Sequence, residues 1–340
     1  MSVRVLIASP LEAELVARVA AVDPRVDVIH RPDLLGAPRY VGDHTPPVER
    51  NPEQAAEWAE LLASAEVLFD VDPPNVRAGF VERAPHVRWI QASSSGVGGW
   101  IQRLGLVDTP VQVTNAAGVH AVPLAEFALL AMLYFAKRMP LVHADRAARR
   151  WERFCGDVLR GRTVGIIGLG AVGREIARVA HAVGMRVIGL RRSAEMRIEG
   201  VERVFGPEGL HTLLAASDYV VLIVPSTRET EALLDAAAIG HMKPGAVLIN
   251  IARGSVVDEV ALVGALRSGQ LGGAALDVVR QEPLPADSPL WDLPNVLITP
   301  HSMSTAFGEN ELLVDLFCDN LRRYLAGEPL RNLVDKRRGY

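Results

Sequence analysis

The chain has 340 residues, and at about 100–200 residues per domain this length favours two domains. Apolar residues make up 49% of the chain, so each domain has enough of them to form a core. The formal net charge of −4, with acids and bases interspersed, gives no reason to expect nucleic-acid binding.

Cysteine usage and hydropathy exclude further classes of protein. Cys155 and Cys318 are too few for a secreted disulfide framework, and no Cys/His cluster predicts a metal site. No apolar run is long enough to predict a membrane span. The apolar run at residues 3–8 is too short for a signal sequence and fits a buried first strand. We therefore expect a cytoplasmic protein with no metal and no membrane partner.

The first part of the chain alternates short apolar runs with helical patterns, which is typical of a parallel sheet covered by helices. The proline-rich residues 31–52 predict an irregular connection. Residues 121–138 carry apolar side chains at helical spacing on most sides, which predicts a long and largely buried helix. Strands are predicted at residues 3–8, 26–29, 67–69, 87–91 and 111–114, and helices at residues 11–22 and 52–63.

A second series of the same kind follows a polar stretch at residues 143–162. A last helical pattern covers residues 305–325, and because it follows the final strand we expect it to return to the first domain. The sequence therefore predicts two doubly wound α/β domains. The strands of the second series are predicted at residues 164–167, 186–190, 219–224, 246–251, 272–278 and 296–299.

A glycine-rich motif joins the first strand of the second series to a helical pattern. It reads Gly168-Leu169-Gly170-Ala171-Val172-Gly173. In such a motif the first glycine permits a tight turn, the second lets pyrophosphate approach the backbone, and the third lets helix and strand pack closely. The N-terminus of the helix then attracts the phosphates. The motif predicts a dinucleotide site, and the alternative is a purely structural turn.

The end of the next strand indicates which dinucleotide is bound. NAD sites usually carry an acidic residue there, whereas this strand ends in Leu190-Arg191-Arg192-Ser193. An arginine at this place can accept the 2′-phosphate of NADP. We therefore favour NADP over NAD. The alternative is that Arg191 and Arg192 reach solvent or stack on adenine, which would be compatible with NAD.

Three further polar segments follow predicted strands, at the sheet edge where open α/β sheets bind ligands. They contain Arg253, Glu282 and His301 in turn. Each is ambiguous alone, because an Arg-Gly pair is often a turn, a Glu-Pro pair often begins a loop, and a histidine after a strand is often structural. Their occurrence together, in this order after the glycine motif, favours a functional role over these structural interpretations.

The order GLGAVG, NIARGSVVDE, LDVVRQEPLP and TPH resembles the D-2-hydroxyacid dehydrogenase family. The resemblance covers residues 90–305 and includes Gly96-Val97-Gly98, while the first 85 residues match only by general pattern. It implies reduction of a small 2-keto acid to a D-2-hydroxy acid, of the glyoxylate or hydroxypyruvate type. It also implies a homodimer.

The resemblance assigns roles to matching residues. It implies that Arg253 grips the substrate carboxylate and carbonyl, and that His301 is the acid/base residue. Glu282 would pair with His301 and fix which ring nitrogen faces the substrate. The backbone N–H groups of Gly96, Val97 and Gly98 would hold the substrate carboxylate. The remaining cofactor contacts implied are Ala171, Val172, Pro225, Thr227, Ile251, Asp277, Arg253 and His301, with a helix-cap or loop role as the alternative for Asp277.

The implied fold is two Rossmann- or flavodoxin-like doubly wound domains with an active-site cleft between them. The substrate domain would comprise residues 1–115 with 303–340, and the NAD(P)-binding domain residues 116–302. After His301 the chain reads Ser302-Met303-Ser304, where the family usually has small apolar residues, so the substrate is less defined than the reaction. A dinucleotide-binding regulator of the corepressor type is the alternative function, and turnover distinguishes the two.

Overall fold

The computed structural model describes residues 2–192 and 197–340. The chain divides into two compact units, one formed by residues up to 119 together with residues 305–340, and the other by residues 120–304. The first unit therefore contains both ends of the chain, and the second is a single continuous segment.

Both units alternate strands with helices along the chain. In chain order the strands are β1 Val3–Ile7, β2 Val26–His30, β3 Val67–Phe69, β4 Trp89–Gln91, β5 Gln112–Thr114, β6 Thr163–Ile167, β7 Arg186–Leu190, β8 Arg203–Phe205, β9 Tyr219–Leu222, β10 Ala246–Asn250, β11 Leu271–Leu276 and β12 Val296–Ile298. The helices are α1 Ala13–Ala20, α2 Pro52–Ser64, α3 Phe80–Arg83, α4 Gly98–Leu104, α5 Ala121–Ala136, α6 Met139–Ala147, α7 Ala171–Ala182, α8 Leu210–Ala216, α9 Ala236–Gly240, α10 Glu259–Ser268 and α11 Glu309–Ala326.

The first unit is built on a five-stranded parallel sheet in the order β2-β1-β3-β4-β5. Apolar side chains alternate between its two faces, so each face has its own core. Trp58 of α2 and Ile90 of β4 pack on one face, and Trp89 of β4 packs with Phe317 of α11 on the other. The last helix of the chain thus covers the sheet formed by the N-terminal residues.

The second unit is built on a seven-stranded parallel sheet in the order β12-β11-β10-β9-β6-β7-β8. The chain starts in the middle of this sheet at β6, runs outward through β7 and β8, and then returns to β9 on the other side of β6. The direction of winding therefore changes between β6 and β9. Sheets of this kind bind ligands beyond the carboxyl ends of the strands at such a point.

Helix ends are fixed by local chemistry that the sequence carries. Asn51 and Gln54 form a reciprocal capping box at the start of α2, with Pro52 at the first helical position. Asp258 caps α10 by accepting two backbone N–H bonds, and Gly269 ends that helix in a left-handed conformation with φ +76°.

The predicted α/β class with two parallel sheets is confirmed, and the main errors concern elements with few apolar residues. Strand β8 was not predicted, because it lies at the sheet edge and has three residues, of which only Phe205 is buried. Helix α6 was read as part of a polar stretch, because it buries only Asp145. Residues 31–52 contain one short 3₁₀ turn and are otherwise irregular, as predicted.

In the part of the chain that the structure describes, no helix is both long enough and apolar enough to cross a membrane.

Candidate functional site

The turn after β6 contains three glycines. Close packing requires glycine at two of these positions but not at the third. Gly168 has φ +113°, and a Cβ there would lie 2.2 Å from the carbonyl oxygen of Ile223. A Cβ on Gly173 would lie 1.9 Å from the carbonyl oxygen of Gly168. Gly170 is exposed, and a Cβ there would meet no atom of the described residues within 4 Å. The open space at Gly170 is therefore available to a ligand.

The residues around Gly170 fit the pyrophosphate of a dinucleotide. Gly170 is the N-cap of α7, with no side-chain hydrogen bond at the cap. Ala171 and Val172 begin the helix, and backbone N–H groups in a first helical turn have no acceptor within the helix. These donors and the positive end of the helix dipole attract phosphate oxygens. The turn lies beside the carboxyl ends of β6 and β9, where the direction of winding changes. Gly168 packs there against Ile223, the residue that follows β9.

Two arginines follow β7, and one of them, Arg192, lies near the loop after β9. Arg191 is half-buried, Arg192 is exposed, and Ser193 lies outside the described residues. The pKa of Glu229 is lowered, chiefly by a hydrogen bond with Thr227 and with a contribution from the charge of Arg192. Glu229, which was not selected from the sequence, therefore lies near Thr227 and Arg192, two of the predicted cofactor residues.

The hydroxyl of Thr230 makes hydrogen bonds that hold the loop after β9. Thr230 Oγ1 donates to the carbonyl oxygen of Pro225 at 2.7 Å and accepts the N–H of Thr227 at 2.8 Å. The hydroxyls of Ser226 and Ser255 lie 3.0 Å apart. The predicted residues Pro225 and Thr227 are therefore held by a residue that the sequence analysis did not name.

His301 and Glu282 form a close pair at the carboxyl edge of the second sheet. The Nδ1 atom of His301 lies 2.8 Å from Oε2 of Glu282, and Glu282 Oε1 accepts the N–H of Val279 at 3.3 Å. The side chains of the histidine and the glutamate are 40% and 39% exposed, so both are open to a ligand. Because Nδ1 faces the carboxylate, Nε2 is the ring nitrogen left for a reacting group.

Asp277 holds the loop that carries the histidine. Its carbonyl oxygen accepts the N–H of His301 at 2.9 Å, and its buried carboxylate accepts the hydroxyl of Thr299 at 2.7 Å and the N–H of Ser302 at 3.0 Å. Its Oδ1 also accepts the N–H of Met303 at 3.3 Å. His301 has φ +52°, an uncommon value for a residue with a side chain. These bonds keep the strained backbone of His301 in place.

Arg253 follows β10 and lies close to the same glutamate. Burial lowers its pKa from the ordinary value, and the negative charge of Glu282 acts in the opposite direction. Its Nη1 donates to the carbonyl oxygen of Ala252 at 2.7 Å, which is the only hydrogen bond that the guanidinium makes to the described residues. A guanidinium keeps its charge in proteins and has five N–H groups, so donors remain for an anion.

Gly254 explains how Arg253 and Glu282 come together. A Cβ on Gly254 would lie 2.0 Å from the carbonyl group of Val279, so the loop that carries Glu282 packs directly on this glycine. Asn250, the last residue of β10, fixes the other side of the turn, since its Nδ2 donates to the carbonyl oxygen of Arg253 at 3.1 Å. Its Oδ1 accepts the N–H of Ala252 at the same distance.

In the first unit, the predicted substrate turn joins β4 to α4. Gly96 is exposed, Val97 is buried, and Gly98 is the first residue of α4. Two side-chain contacts hold residues 93 and 95 of this turn. Asp70 Oδ1 accepts the N–H of Ser93 at 3.0 Å, and Asn115 Nδ2 donates to the carbonyl oxygen of Ser95 at 3.0 Å.

Comparison with known proteins agrees with this geometry. Residues 129–302 match the D-isomer specific 2-hydroxyacid dehydrogenase family, NAD binding domain. The chain is 34% identical over 288 residues to a glyoxylate reductase of Korarchaeum cryptofilum, covering 82% of this chain and 85% of that protein. The chain belongs to the D-isomer specific 2-hydroxyacid dehydrogenase family.

Solved structures of dehydrogenases support the same membership. A D-isomer specific 2-hydroxyacid dehydrogenase from Xanthobacter autotrophicus Py2, in complex with NADPH and MES, superposes with a TM-score of 0.80 at 34% identity, covering 100% of both chains. An NADPH-dependent glyoxylate/hydroxypyruvate reductase from Sinorhizobium meliloti, in complex with NADP and sulfate, gives a TM-score of 0.82 at 26% identity, again covering 100% of both chains.

Membership of the D-isomer specific 2-hydroxyacid dehydrogenases confirms the enzyme class predicted from the sequence, an oxidoreductase that uses a nicotinamide dinucleotide. The part of the site that sequence analysis missed consists of supporting residues, namely Asn250, Thr230, Glu229 and Thr299. Asn250 had a visible signal, since it is a polar residue at the end of an apolar strand. Thr230 and Glu229 had none, because they lie in an irregular segment.

Proposed function

We propose that this dehydrogenase reduces a small 2-keto acid, glyoxylate or hydroxypyruvate, to the D-2-hydroxy acid, using NADPH and a proton from His301. The 2.8 Å contact between His301 Nδ1 and Glu282 is the observation that carries the proposal. The balanced reaction is 2-keto acid + NADPH + H⁺ giving D-2-hydroxy acid + NADP⁺. The relative from Korarchaeum cryptofilum is named a glyoxylate reductase, which supports this choice of substrate.

His301 acts in this proposal as the proton donor in reduction and the acceptor in oxidation. Glu282 accepts the Nδ1 proton and stabilises the imidazolium, so that Nε2 carries the proton that moves to the substrate oxygen. Asp277 and Thr299 hold the backbone around the histidine and so fix the direction of Nε2. Loss of any of these contacts would move the Nε2 proton away from the substrate oxygen and slow the proton transfer.

Arg253 binds and orients the acid. Its half-buried guanidinium has N–H groups with no partner among the described residues. It gains more from a substrate carboxylate than an exposed arginine would, because water competes less at this position. A fork of two N–H groups can hold the carboxylate and polarise the neighbouring carbonyl oxygen. We assign the backbone N–H groups of Gly96, Val97 and Gly98 to the substrate carboxylate as well.

The dinucleotide, when bound, supplies the hydride. We assign the domain at residues 116–302 to its binding and the domain at residues 1–115 with 303–340 to the substrate. Gly168, Gly170, Ala171, Val172 and Gly173 hold the pyrophosphate in this proposal. Further contacts come from Pro225, Thr227, Ile251 and Asp277.

The preference for NADPH follows from Arg191 and Arg192. Two cations at the end of β7, with no carboxylate on that strand, favour a 2′-phosphate over a ribose hydroxyl pair. The structures from Xanthobacter autotrophicus and Sinorhizobium meliloti hold NADPH and NADP, which supports the same choice.

The second unit exposes several large apolar side chains on α5 and in the segment after α6. Val122 and Leu130 of α5 are 55% and 54% exposed, and Trp151 and Phe154 in the segment after α6 are 99% and 43% exposed. Where such side chains form one contiguous patch, they mark a protein interface. We infer a homodimer, to be tested by sedimentation of the wild type and of Leu130→Glu.

The free thiols of Cys155 and Cys318 fit a reducing compartment such as the cytoplasm.

The deciding experiment follows oxidation of NADPH and, separately, NADH with glyoxylate, hydroxypyruvate, pyruvate, phenylpyruvate and 2-ketoisocaproate. We expect turnover with the first two acids, faster with NADPH, and loss of turnover in His301→Ala with unchanged NADPH affinity. Normal turnover in His301→Ala would exclude the proposed proton donor. Dinucleotide binding without turnover on any acid would favour a regulator instead.

A further inference from the structure

The last residues of the chain complete the sheet of the first unit. Strand β5 lies at the edge of that sheet and would otherwise leave its backbone groups open. Leu333 forms an antiparallel bridge with Thr114, and the N–H of Val334 donates to the carbonyl oxygen of Val113 at 2.9 Å. The C-terminal segment is therefore an ordered part of this sheet.

Beyond that bridge the chain folds into a closed turn at residues 335–340. Asp335 Oδ1 accepts the N–H groups of Arg337 and Arg338, each at 3.1 Å. The N–H of Gly339 donates to the carbonyl oxygen of Asp335 at 2.7 Å. The N–H of Asp335 donates to the carbonyl oxygen of Tyr340 at 3.2 Å. These bonds give the turn a defined shape.

A lysine anchors the 335–340 turn to the loop before β5. Lys336 Nζ donates to the carbonyl oxygen of Val111 at 2.9 Å and to the carbonyl oxygen of Thr109. Burial lowers the pKa of Lys336. The turn is therefore held to the unit from its own side, independently of the 93–98 turn.

The 335–340 turn touches the 93–98 turn directly, backbone against backbone. A Cβ on Gly98 would lie 3.1 Å from the carbonyl oxygen of Gly339 and 3.3 Å from its Cα. In the reverse direction, a Cβ on Gly339 would lie 3.0 Å from the Cα of Gly98, and Gly339 has φ +79°. Only glycine at both positions permits this approach without displacement.

A second route connects the C-terminal segment to the same turn. Asn332 Nδ2 donates to the carbonyl oxygens of Asn115 and Ala117, at 3.2 Å and 2.9 Å. Asn115 Nδ2 in turn donates to the carbonyl oxygen of Ser95 at 3.0 Å. The C-terminal segment thus supports the 93–98 turn at its middle through Asn115 and at its end through Gly98.

We propose that residues 332–340 are a positioning segment for the 93–98 turn, and that they set where its backbone N–H groups lie for the substrate carboxylate. The proposal rests on the proposed function, in which that turn binds the carboxylate. Ser94, Ser95 and Gly96 are exposed and lie outside the strand ladder, so the turn needs external support. Donors that bind an anion must be fixed before it arrives to contribute fully.

The first test is Gly339→Ala, with Gly327→Ala as the matched control. Gly327 has φ +70° in the same unit, but a Cβ there would lie more than 4 Å from every atom that the structure describes. Both variants therefore carry the same backbone strain, and only Gly339→Ala also presses on Gly98. We expect Gly339→Ala to raise KM for the keto acid about tenfold. Its kcat and NADPH affinity should stay unchanged, and Gly327→Ala should keep the wild-type KM.

A second readout does not depend on turnover. We expect amide hydrogen exchange in a peptide covering residues 93–104 to be faster in Gly339→Ala, and also in a chain ending at Arg338, than in wild type or Gly327→Ala. Wild-type exchange and KM in both altered chains would overturn the positioning role. If the wild type reduced no keto acid, the proposed function would fail, and faster exchange would still establish the coupling between the two turns.

Discussion

The imidazole of His301 lies 2.8 Å from the carboxylate of Glu282, although 19 residues separate them in the chain. The contact forms because two loops at neighbouring strand ends converge. One follows β11 and carries Glu282, and the other follows β12 and carries His301. Asp277, at the start of the first loop, binds the second through its carbonyl and its carboxylate.

This pairing predicts that Glu282→Gln impairs proton transfer while the fold is kept. An amide has nearly the same shape but carries no charge to stabilise the imidazolium, and it can present an N–H to Nδ1. We expect kcat to fall about 10²–10⁴-fold. NADPH affinity and the thermal midpoint should change little. The control is Glu328→Gln, whose exposed carboxylate lies 3.8 Å from Arg323. An unchanged kcat in Glu282→Gln would show that the pair has no part in catalysis.

The candidate site could be predicted from the sequence where polar residues directly follow a strand, and its roles remain predictions. Arg253, Glu282 and His301 each stand just beyond an apolar run, and parallel strands bring such positions to one edge of a sheet. Most strands were placed within one or two residues for the same reason. The glycine turn was recognisable because its spacing is imposed by packing, as Gly168 and Gly173 show.

What the sequence could not provide were contacts between loops. Gly254 looked like half of an ordinary turn, and its need to be glycine comes from Val279, which is distant in the chain. The contact between Gly98 and Gly339 joins residues that are far apart in the chain, so no local sequence pattern predicts it. Edge strand β8 was missed because a strand covered on one side needs few apolar residues.

The glycine turn predicts opposite consequences for two similar substitutions. Gly173→Ala would place a Cβ 1.9 Å from the carbonyl oxygen of Gly168, so helix α7 must move away from β6. We expect a lower thermal midpoint for that variant. The methyl group of Gly170→Ala meets no described atom within 4 Å, so its midpoint should match wild type. Its methyl group would stand where pyrophosphate approaches, which should weaken NADPH binding at least about tenfold.

Dinucleotide titration followed by fluorescence, together with thermal unfolding, separates these two effects. If Gly170→Ala bound NADPH as tightly as wild type, the phosphates would not lie at this turn.

The arginines at the end of β7 predict the ratio of NADPH to NADH affinity. Charge-assisted hydrogen bonds to a phosphate contribute about 1.5–3 kcal/mol. Replacing both Arg191 and Arg192 by alanine should therefore weaken NADPH binding about 10- to 100-fold and leave NADH binding nearly unchanged. The matched control is Arg186→Ala, at the opposite end of the same strand, where Arg186 pairs with Glu202 at 3.1 Å. Equal losses for both dinucleotides in the double variant would argue against a 2′-phosphate site.

Asp70 and Asp218 predict opposite dependence of stability on pH. Burial raises the pKa of Asp70, and the charge of His44 and the bonds from Ser93 only partly oppose it. The folded state therefore favours the protonated carboxyl. Its contribution to stability is present below the pKa of an unfolded aspartate, about 3.9, and is lost as pH rises through the raised value. Asp70→Asn is neutral throughout, and asparagine accepts φ +61°.

We therefore expect Asp70→Asn to become more stable relative to wild type as pH rises from about 4. Asp218 is the matched case of opposite sign. Burial tends to raise its pKa, but the N–H of Thr163 and the ammonium of Lys243 outweigh burial and lower it. Its contribution is present above the unfolded pKa and is lost as pH falls through the lowered one. Asp218→Asn should therefore be less stable than wild type at neutral pH, with the difference shrinking in acid. Urea unfolding midpoints of the three proteins across pH measure both trends, and parallel curves would refute the assignment of Asp70 as a destabilised carboxylate.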